Sequence, residues 1–148
     1  LHRCLHSFPT RRSSDLGDSK AKGMCVGPQN AEETEQTYDT LDKQMEDPYS
    51  IYNFVKQTIS IRNAFPEIAR GTNTFEKDLS NDNVCIFTRE YNGEKAVLIF
   101  NPSKDEASVD VSSLGVNDAV AMLQTTKKAP SYKDGTAKLP AYSVLVLK

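Results

Sequence analysis

The residues best suited to chemistry are scarce in this sequence, and they do not cluster. Both histidines, His2 and His6, lie with Cys4 at the start of the chain, while Cys25 and Cys85 stand alone. Without a C-x-x-C pair or a Cys/His cluster, the sequence predicts neither a zinc site nor a histidine-activated nucleophile. Cys25 and Cys85 form either a disulfide or two unlinked small side chains, and we favour the second interpretation. We assign no catalytic, cofactor-binding or metal-binding residue.

Carboxylates are the remaining candidates, since a pair of them can act as acid and base. Glu32, Glu33 and Glu35 invite that interpretation, but an acidic run of this kind is normally solvated. The chain has 18 basic and 20 acidic residues, a balance too even to attract nucleic acid. No apolar run approaches the roughly 20 residues of a membrane span. We therefore expect no nucleic-acid partner and no membrane span.

Residues 1–16 are expected to be a cloning or assembly artefact. Ser7 to Leu16, SFPTRRSSDL, is identical to one translation of a common sequencing adapter, and such segments are excluded from fold reasoning. The alternative is a basic arm in which Arg3, Arg11 and Arg12 bind phosphate. An artefact here implies that the natural upstream chain is missing, so the lack of a signal peptide is uninformative about secretion.

One long helix is predicted between Asp47 and Gly71, after a polar loop that runs from residue 17 to residue 46. Asp47 can accept a hydrogen bond from a first-turn amide, and Pro48 suits the first helical position because it needs no N–H there. Pro66 should end the helix near residues 63–65. Its apolar stripe, at spacings of three and four, contains Ile51, Phe54, Val55, Thr58, Ile59, Arg62 and Phe65. So broad a stripe needs cover on more than one side.

After Gly71 the pattern becomes strand-like. Asn92-Gly93 separates strands over 84–91 and 95–100 and is the strongest short hairpin signal, since both residues tolerate positive φ. The two-residue loop sets the register, with Glu90 opposite Lys95, Phe87 opposite Leu98 and Cys85 opposite Phe100.

Five further strands are predicted over 72–76, 107–111, 119–125, 136–139 and 142–147, with a second tight turn at Asp134-Gly135. Seven short strands at this spacing predict a Greek-key sandwich of two antiparallel sheets. A small open barrel built from the same strands is the alternative.

The helix and strands resemble the C-terminal part of the α-amylase family of glycoside hydrolases (family 13). In that family an Asp-Pro-x-Ser start leads through an apolar helix to a Leu/Ile-Arg pair and a proline. The matching residues are Asp47, Pro48, Ser50, Ile61, Arg62 and Pro66. GMCVGP, at Gly23 to Pro28, is similar to a stretch in some bacterial α-amylases.

The resemblance covers about residues 23–148 and implies a mainly β fold with one long helix. Residues 17–70 would be the last loop and last helix of a truncated (β/α)8 barrel. Residues 71–148 would be the C-terminal antiparallel Greek-key β-sandwich. The loop before the helix would then border the active-site face of the parent's barrel.

The resemblance also implies a function for the parent protein. Members of the family are retaining enzymes whose paired carboxylates lie on earlier barrel strands, so this chain is expected to have none of them and to be inactive alone. Its partner would be the missing catalytic barrel of the same polypeptide, and the parent's substrate an α-glucan such as starch. We expect no cofactor in this chain; calcium binding and an extracellular or cell-surface location are open to the parent.

The alternative function is an autonomous β-sandwich module that binds carbohydrate or protein. Sugar-binding surfaces need flat aromatic platforms, yet Trp is absent and Tyr91, Tyr132 and Tyr142 are scattered. This favours structural support of a barrel. Substrate linkage, endo or exo action, and hydrolysis or transfer depend on barrel loops upstream of Gly17.

Overall fold

The computed structural model describes residues 39–148. The predicted artefact, both histidines, Cys4, Cys25, the acidic run 32–35 and the segment 23–28 lie outside that range. The helices are α1 (Leu41–Glu46), α2 (Ile51–Ala64) and α3 (Pro66–Arg70). The strands are β1 (Thr72–Phe75), β2 (Cys85–Tyr91), β3 (Glu94–Asn101), β4 (Ala107–Asp110), β5 (Ala119–Leu123), β6 (Ser131–Lys133), β7 (Thr136–Leu139) and β8 (Ser143–Leu147).

The chain divides into two units whose boundary falls between Asn53 and Phe54, within α2. This is a division by internal contacts. The functional boundary expected between residues 70 and 71 stays a prediction.

A short helix, α1, corrects the expectation of a loop up to residue 46. The carbonyls at its C-terminal end are satisfied by Asn53, whose Nδ2 donates to Gln44 O at 2.9 Å, to Met45 O at 3.2 Å and to Asp47 O at 2.8 Å. The last carbonyls of a helix have no partner inside it, so a side chain that reaches back to them stabilises a helix of only six residues. The partner lies beyond α1 in sequence, and the local pattern therefore predicted a loop.

The start of α2 also differs from the prediction. Pro48 lies in the preceding turn, where Tyr49 N donates to Asp47 Oδ1 at 2.9 Å. Ser50 caps the helix instead, because its Oγ accepts from Asn53 N at 3.2 Å. Serine and aspartate are equally good caps, so the sequence alone did not decide between them.

At the other end, α2 stops at Ala64, directly before Phe65-Pro66. Pro66 then occupies the first turn of α3, where its missing N–H is harmless. The proline thus ends one helix and begins another.

The strands form two antiparallel sheets. The first has five strands in the order β1-β2-β3-β8-β5, and the second has three in the order β4-β7-β6. The chain leaves the first sheet after β3 and returns to it for β5 and β8, so β8 lies between β3 and β5. Exchange of strands between two sheets is the arrangement of a sandwich.

The predicted β2–β3 register is confirmed at all three pairs, with Glu90 opposite Lys95, Phe87 opposite Leu98 and Cys85 opposite Phe100. Asn92 has φ 53° and Gly93 has φ 83°, as the two-residue turn requires. Cys85 carries a free thiol.

The prediction of seven strands missed β6. Asp134 (φ 50°) and Gly135 (φ 79°) form the expected tight turn, and they join β7 to this short strand, with Tyr132 opposite Ala137. β6 contains three residues of which only Tyr132 is apolar in part, so no alternating pattern marks it.

The core lies between the two sheets. Ile86, Val97, Ile99, Leu145 and Leu147 of the first sheet are fully buried against Ala137 and Leu139 of the second. Val84, Val111 and Val116, from the connections, complete the cluster.

Asn101 joins the loops at one end of this core. Its buried Nδ2 donates to Asp105 O and Pro140 O, both at 2.8 Å, and to Leu139 O at 3.2 Å. Its Oδ1 accepts from Ser103 N at 3.0 Å. One side chain therefore satisfies backbone groups of two separate loops, which is the condition for burying them.

Candidate functional site

Glu67, a buried carboxylate, lies where α3 meets the five-stranded sheet. Its Oε1 is 2.9 Å from Lys148 Nζ, and its side chain is 3% exposed. Lys148 Nζ is also 3.1 Å from Glu94 Oε2, at the start of β3. At this distance the contact between Glu67 and Lys148 is a close ion pair. A single ammonium thus holds α3 beside the ends of β3 and β8.

These contacts shift the ionisation of both partners. Burial acts to raise the pKa of Glu67, but its own backbone N–H and the Lys148 ammonium outweigh burial, and the pKa lies below the ordinary value of 4.5. The pKa of Lys148 is raised by its contacts with Glu67 and then with Glu94. Both groups are therefore charged at neutral pH.

The two carboxylates that share Lys148 are not arranged for glycoside hydrolysis. A retaining glycosidase needs a carboxyl group with a raised pKa as the acid and an open space of about 5 Å between the two groups. Here the ammonium fills that space, the pKa of Glu67 is lowered, and Glu67 is inaccessible to a sugar. The role of this cluster is to join α3 to the sheet.

Arg89 fastens the same helix to β2. Its Nη2 donates to Ile68 O at 2.9 Å and its Nε approaches Glu67 O at 3.4 Å. Ile68 O lies in the last helical turn, where carbonyls lack partners in the helix and accept such donors readily, whereas Glu67 O already accepts from Gly71 N at 2.9 Å. Next to them, a Cβ atom on Gly71 would lie 2.3 Å from Glu67 O and 2.8 Å from Glu90 O. Only glycine permits so close an approach of α3 to the sheet.

The outer faces of the two sheets differ in chemistry. Alternate residues of a strand point to opposite faces, and the register places those that point away from the core in rows. On the five-stranded sheet these rows contain Phe75, Phe87, Leu98 and Val146, then Cys85, Phe100 and Val144. On the three-stranded sheet they contain Ser108, Lys138 and Ser131, then Asp110, Thr136 and Lys133. These two rows of the five-stranded sheet are apolar, whereas the remaining rows of the same face contain Asn73, Arg89 and Glu94. The outer face of the three-stranded sheet is polar in both of its rows.

Three aromatic rings lie next to one another on the outer face of the five-stranded sheet. Phe75 and Phe87 belong to the first of its apolar rows and Phe100 to the second, and we call the three together the phenylalanine row. The centroids of Phe75 and Phe87 are 5.3 Å apart with their planes tilted by 45°, and those of Phe87 and Phe100 are 5.8 Å apart at 81°. Such tilted pairs are favourable contacts in themselves. Phe75, at the edge of the sheet, is nevertheless 49% exposed.

The helix α2 has no buried residue. Ile51, Val55 and Ile59 recur every four residues and are 52%, 50% and 55% exposed. Phe54, Ile61 and Phe65 are partly buried. About half of the apolar stripe that the sequence predicts is therefore exposed to solvent.

Among residues 39–148 there is no group of three or more His, Cys, Asp or Glu residues placed to hold a metal ion. Within the same range, none of the helices is both long and apolar enough to cross a membrane.

The sequence analysis did not identify the contacts among Glu67, Gly71, Arg89 and Lys148 as a site. It did not identify the phenylalanine row either. The cluster joins residues from far apart in the chain, and no local spacing marks it. The row did leave a signal, because Ala96 to Phe100 is apolar at every position. A strand with no polar alternation is covered on both faces, whereas an ordinary sandwich strand alternates.

The chain is similar to known proteins in both its sequence and its fold. The family described as Maltogenic Amylase, C-terminal domain, matches residues 78–146. The solved structure of Amy13B from Eubacterium rectale is 94% identical with a TM-score of 0.83, covering 91% of this chain and 26% of that chain. The trehalulose synthase MutB from Pseudomonas mesoacidophila MX-45 is 22% identical with a TM-score of 0.65, covering 95% of this chain and 24% of that chain. No curated protein matches. The chain thus spans about a quarter of the length of these structures.

Proposed function

Because this chain belongs to the α-amylase family of glycoside hydrolases, we propose that it is the C-terminal part of an α-glucan-active enzyme and supports that enzyme's catalytic barrel. The observation that carries the proposal is the family match, which covers residues 78–146 and thereby most of the sandwich. The relatives of known structure are about four times longer than the part that this chain covers, which leaves room for a catalytic domain.

The uncovered side of α2 supports the structural role. Burial of Val55 and Ile59, each about half exposed, would contribute roughly 1.5 to 3 kcal/mol per fully buried side chain. The last helix of a barrel packs against its neighbours, and this chain lacks those neighbours among its described residues. We infer that residues 17–70 belong to a (β/α)8 barrel and that α2 is its last helix.

The chain itself is proposed to be without catalytic residues. The buried carboxylate Glu67 is held by Lys148 in an ion pair, and its pKa is lowered where an acid catalyst needs a raised one. The catalytic carboxylates would lie on barrel strands upstream.

The alternative, an autonomous sugar-binding module, has less support. The polar outer face consists of Ser, Thr, Asp and Lys side chains, and none of these is a stacking platform. The rings of the phenylalanine row are tilted by 45° and 81° to one another, so they do not form a flat surface for a pyranose.

Starch provides the test. The 148-residue chain should release no reducing sugar from starch and should migrate through a starch-containing native gel as it does through a plain gel. The full-length polypeptide that contains it should release reducing sugar. Retarded migration of the short chain would favour the binding module, and an inactive full-length polypeptide would refute the enzyme assignment.

A further inference from the structure

We propose that Asn92 is a site of enzyme-free covalent modification, at which the side chain loses its amide and the residue becomes aspartate or isoaspartate. The main-chain nitrogen of Gly93 attacks Cγ of Asn92 and forms a new C–N bond. The amide nitrogen leaves as ammonia, with the Gly93 proton passed to it through solvent. Water then opens the resulting succinimide ring. The reaction consumes water and releases ammonia, so it needs no oxidant or cofactor, and it is independent of the proposed function.

The residue that follows an asparagine decides how readily this ring closes, because a side chain there crowds the attacking nitrogen. The sequence contains Asn-Gly once, at Asn92-Gly93. Asn101 precedes Pro102, whose nitrogen carries no proton to lose and cannot attack in this way. The other asparagines of residues 39–148 precede residues that carry a β-carbon. The sequence therefore selects Asn92.

Both reacting groups of this turn are accessible. Asn92 and Gly93 are exposed, and a Cβ atom on Gly93 would have no neighbour within 4 Å. Within residues 39–148, no hydrogen bond holds the N–H of Gly93 or the side-chain amide of Asn92. The contrasting case is Asn83, where the nitrogen of the next residue, Val84, donates to Asn81 Oδ1 at 3.0 Å. Only the first of these nitrogens is free to attack.

The conformation of the turn lies close to the geometry of ring closure. Asn92 has φ 53° and Gly93 has φ 83°, and two positive values define a type I′ turn. In the closed ring the Gly93 nitrogen eclipses Cβ of Asn92, which corresponds to a ψ of about −120°, the value at the same position of a type II′ turn. Ring closure therefore requires the change from a type I′ to a type II′ turn.

That change is a rotation of the single peptide group between Asn92 and Gly93. The φ of Asn92 is positive in both turns, and only the φ of Gly93 changes sign, which costs glycine little. Both turns are two-residue hairpin loops, so the closing pair of Tyr91 and Glu94 is retained. The hairpin thus reaches the reactive geometry without unfolding.

The two products change the hairpin differently. Cleavage of the ring between Cγ and nitrogen gives aspartate, which adds a negative charge beside Glu94. Cleavage at the backbone carbonyl gives isoaspartate, whose main chain passes through Cγ and is longer by one atom. A two-residue turn does not accommodate the longer path, so the pair of Tyr91 and Glu94 is displaced. Because Glu94 Oε2 lies 3.1 Å from Lys148 Nζ, this displacement reaches the ammonium that also pairs with Glu67.

The second tight turn is an internal contrast. Asp134 and Gly135 have φ values of 50° and 79°, and an aspartate can close the same ring with loss of water. Gly135 is crowded, however, since a Cβ atom there would lie 2.7 Å from Ser112 Cβ. Its carbonyl also accepts from Val111 N at 2.8 Å. These contacts oppose the change in φ of Gly135, so this turn should form isoaspartate much more slowly.

Incubation of the folded 148-residue chain in mildly alkaline buffer, followed by tryptic digestion under mildly acidic conditions and mass spectrometry, tests the proposal. The peptide Glu90–Lys95 should gain the mass of an amide-to-acid exchange several-fold faster than the peptide Asp78–Arg89, which contains Asn83. Part of the product should be isoaspartate. The reaction should be faster at pH 9 than at pH 7, because the Gly93 nitrogen must lose its proton to attack.

Two variants separate the chemistry from its consequences. Asn92→Gly keeps a residue that favours positive φ and removes the amide, so it should form the hairpin and remain unmodified. Asn92→Asp contains the aspartate product alone. Incubation should lower the thermal unfolding temperature of the unsubstituted chain below that of freshly prepared Asn92→Asp, and it should leave Asn92→Gly unchanged.

The outcome in the folded chain decides the proposal. If Asn92 is modified no faster than Asn83 in the folded chain, the proposal is wrong. It is equally wrong if isoaspartate at position 92 forms only after the chain is unfolded in urea, since the hairpin then prevents ring closure.

Discussion

Two isoleucines show how differently the sandwich and α2 are stabilised. Ile99, in β3, is fully buried among core residues of both sheets, while Ile59, in α2, is 55% exposed. Both belong to apolar patterns that the sequence displays clearly. The difference is that the sandwich supplies its own second layer, whereas α2 presents its stripe to solvent. An apolar pattern therefore predicts that a surface is buried. It does not show whether the residues that bury it belong to the same stretch of chain.

The largest effect is expected from removing the Ile99 side chain. Ile99→Ala should destabilise the chain by about 2 to 5 kcal/mol, because it leaves a cavity in a core that cannot collapse around it. Ile59→Ala is the matched control and should change stability by no more than about 0.5 kcal/mol, since the side chain is exposed and alanine favours helix. Urea midpoints measured by circular dichroism check both. Equal losses would show that α2 is packed as tightly as the core.

The next effect concerns Asn101. Asn101→Ala should cost about 1 to 3 kcal/mol, because it leaves buried backbone groups of two loops without hydrogen-bond partners. Asn83→Ala, at an exposed asparagine whose side chain caps no loop, should be nearly neutral. Thermal unfolding of the two variants distinguishes them, and a neutral Asn101→Ala would mean that water replaces the amide.

A smaller and pH-dependent effect is expected at the base of α3. Glu67→Gln should cost roughly 1 kcal/mol at neutral pH, because Lys148 is partly exposed and solvent screens the pair. The pKa of Glu67 is lowered in the folded chain, so its contribution is complete above the unfolded value near 4.5 and is lost as the pH falls through the lowered native pKa. The variant should lack that acid-dependent loss.

Glu106→Gln serves as the control for this experiment. Glu106 pairs with Lys128 on the surface, with both side chains more than half exposed. Such pairs contribute little, so unfolding free energies measured between pH 7 and pH 3 should match those of the unmodified chain. If the pH profile of Glu67→Gln also matches that of the unmodified chain, the ion pair does not contribute to holding α3 against the sheet.

The smallest effect is expected on α2. Val55→Lys should change the stability of the 148-residue chain by no more than about 0.5 kcal/mol, as should the control Gln57→Lys on the same helix. In the full-length polypeptide the two should diverge, because a barrel would bury Val55. Paired thermal unfolding of both variants in both proteins tests this. A large loss for Val55→Lys in the short chain would show that this helix is already covered.

The features that could be predicted from the sequence are those settled within a few residues. Asn92-Gly93 and Asp134-Gly135 adopt the positive φ that their turns require, and the first of them set a register that proved correct at every predicted pair. Pro66 ended α2 for an equally local reason. Where two local solutions are equivalent, as with Asp47 and Ser50 at the start of α2, the choice could not be made in advance.

The candidate site could be predicted only in part. An uninterrupted apolar strand at Ala96 to Phe100 indicates cover on both faces, yet nothing in that strand shows that Phe75 and Phe87 extend the row. Likewise the pattern of β6 was too short to detect, and it became a strand because β7 and the Asp134-Gly135 turn present it with a partner.

What the sequence by itself determined is thus the local geometry: turns, the end of a helix, hairpin register and which surfaces are apolar. Tertiary structure alone decided that β8 lies between β3 and β5, that Asn101 joins two loops and that Lys148 meets Glu67. The physical reason is range. Backbone dihedral preferences and side-chain periodicity act over a few residues, so a short stretch of sequence shows them. These contacts form only when burial of the core brings distant parts of the chain together.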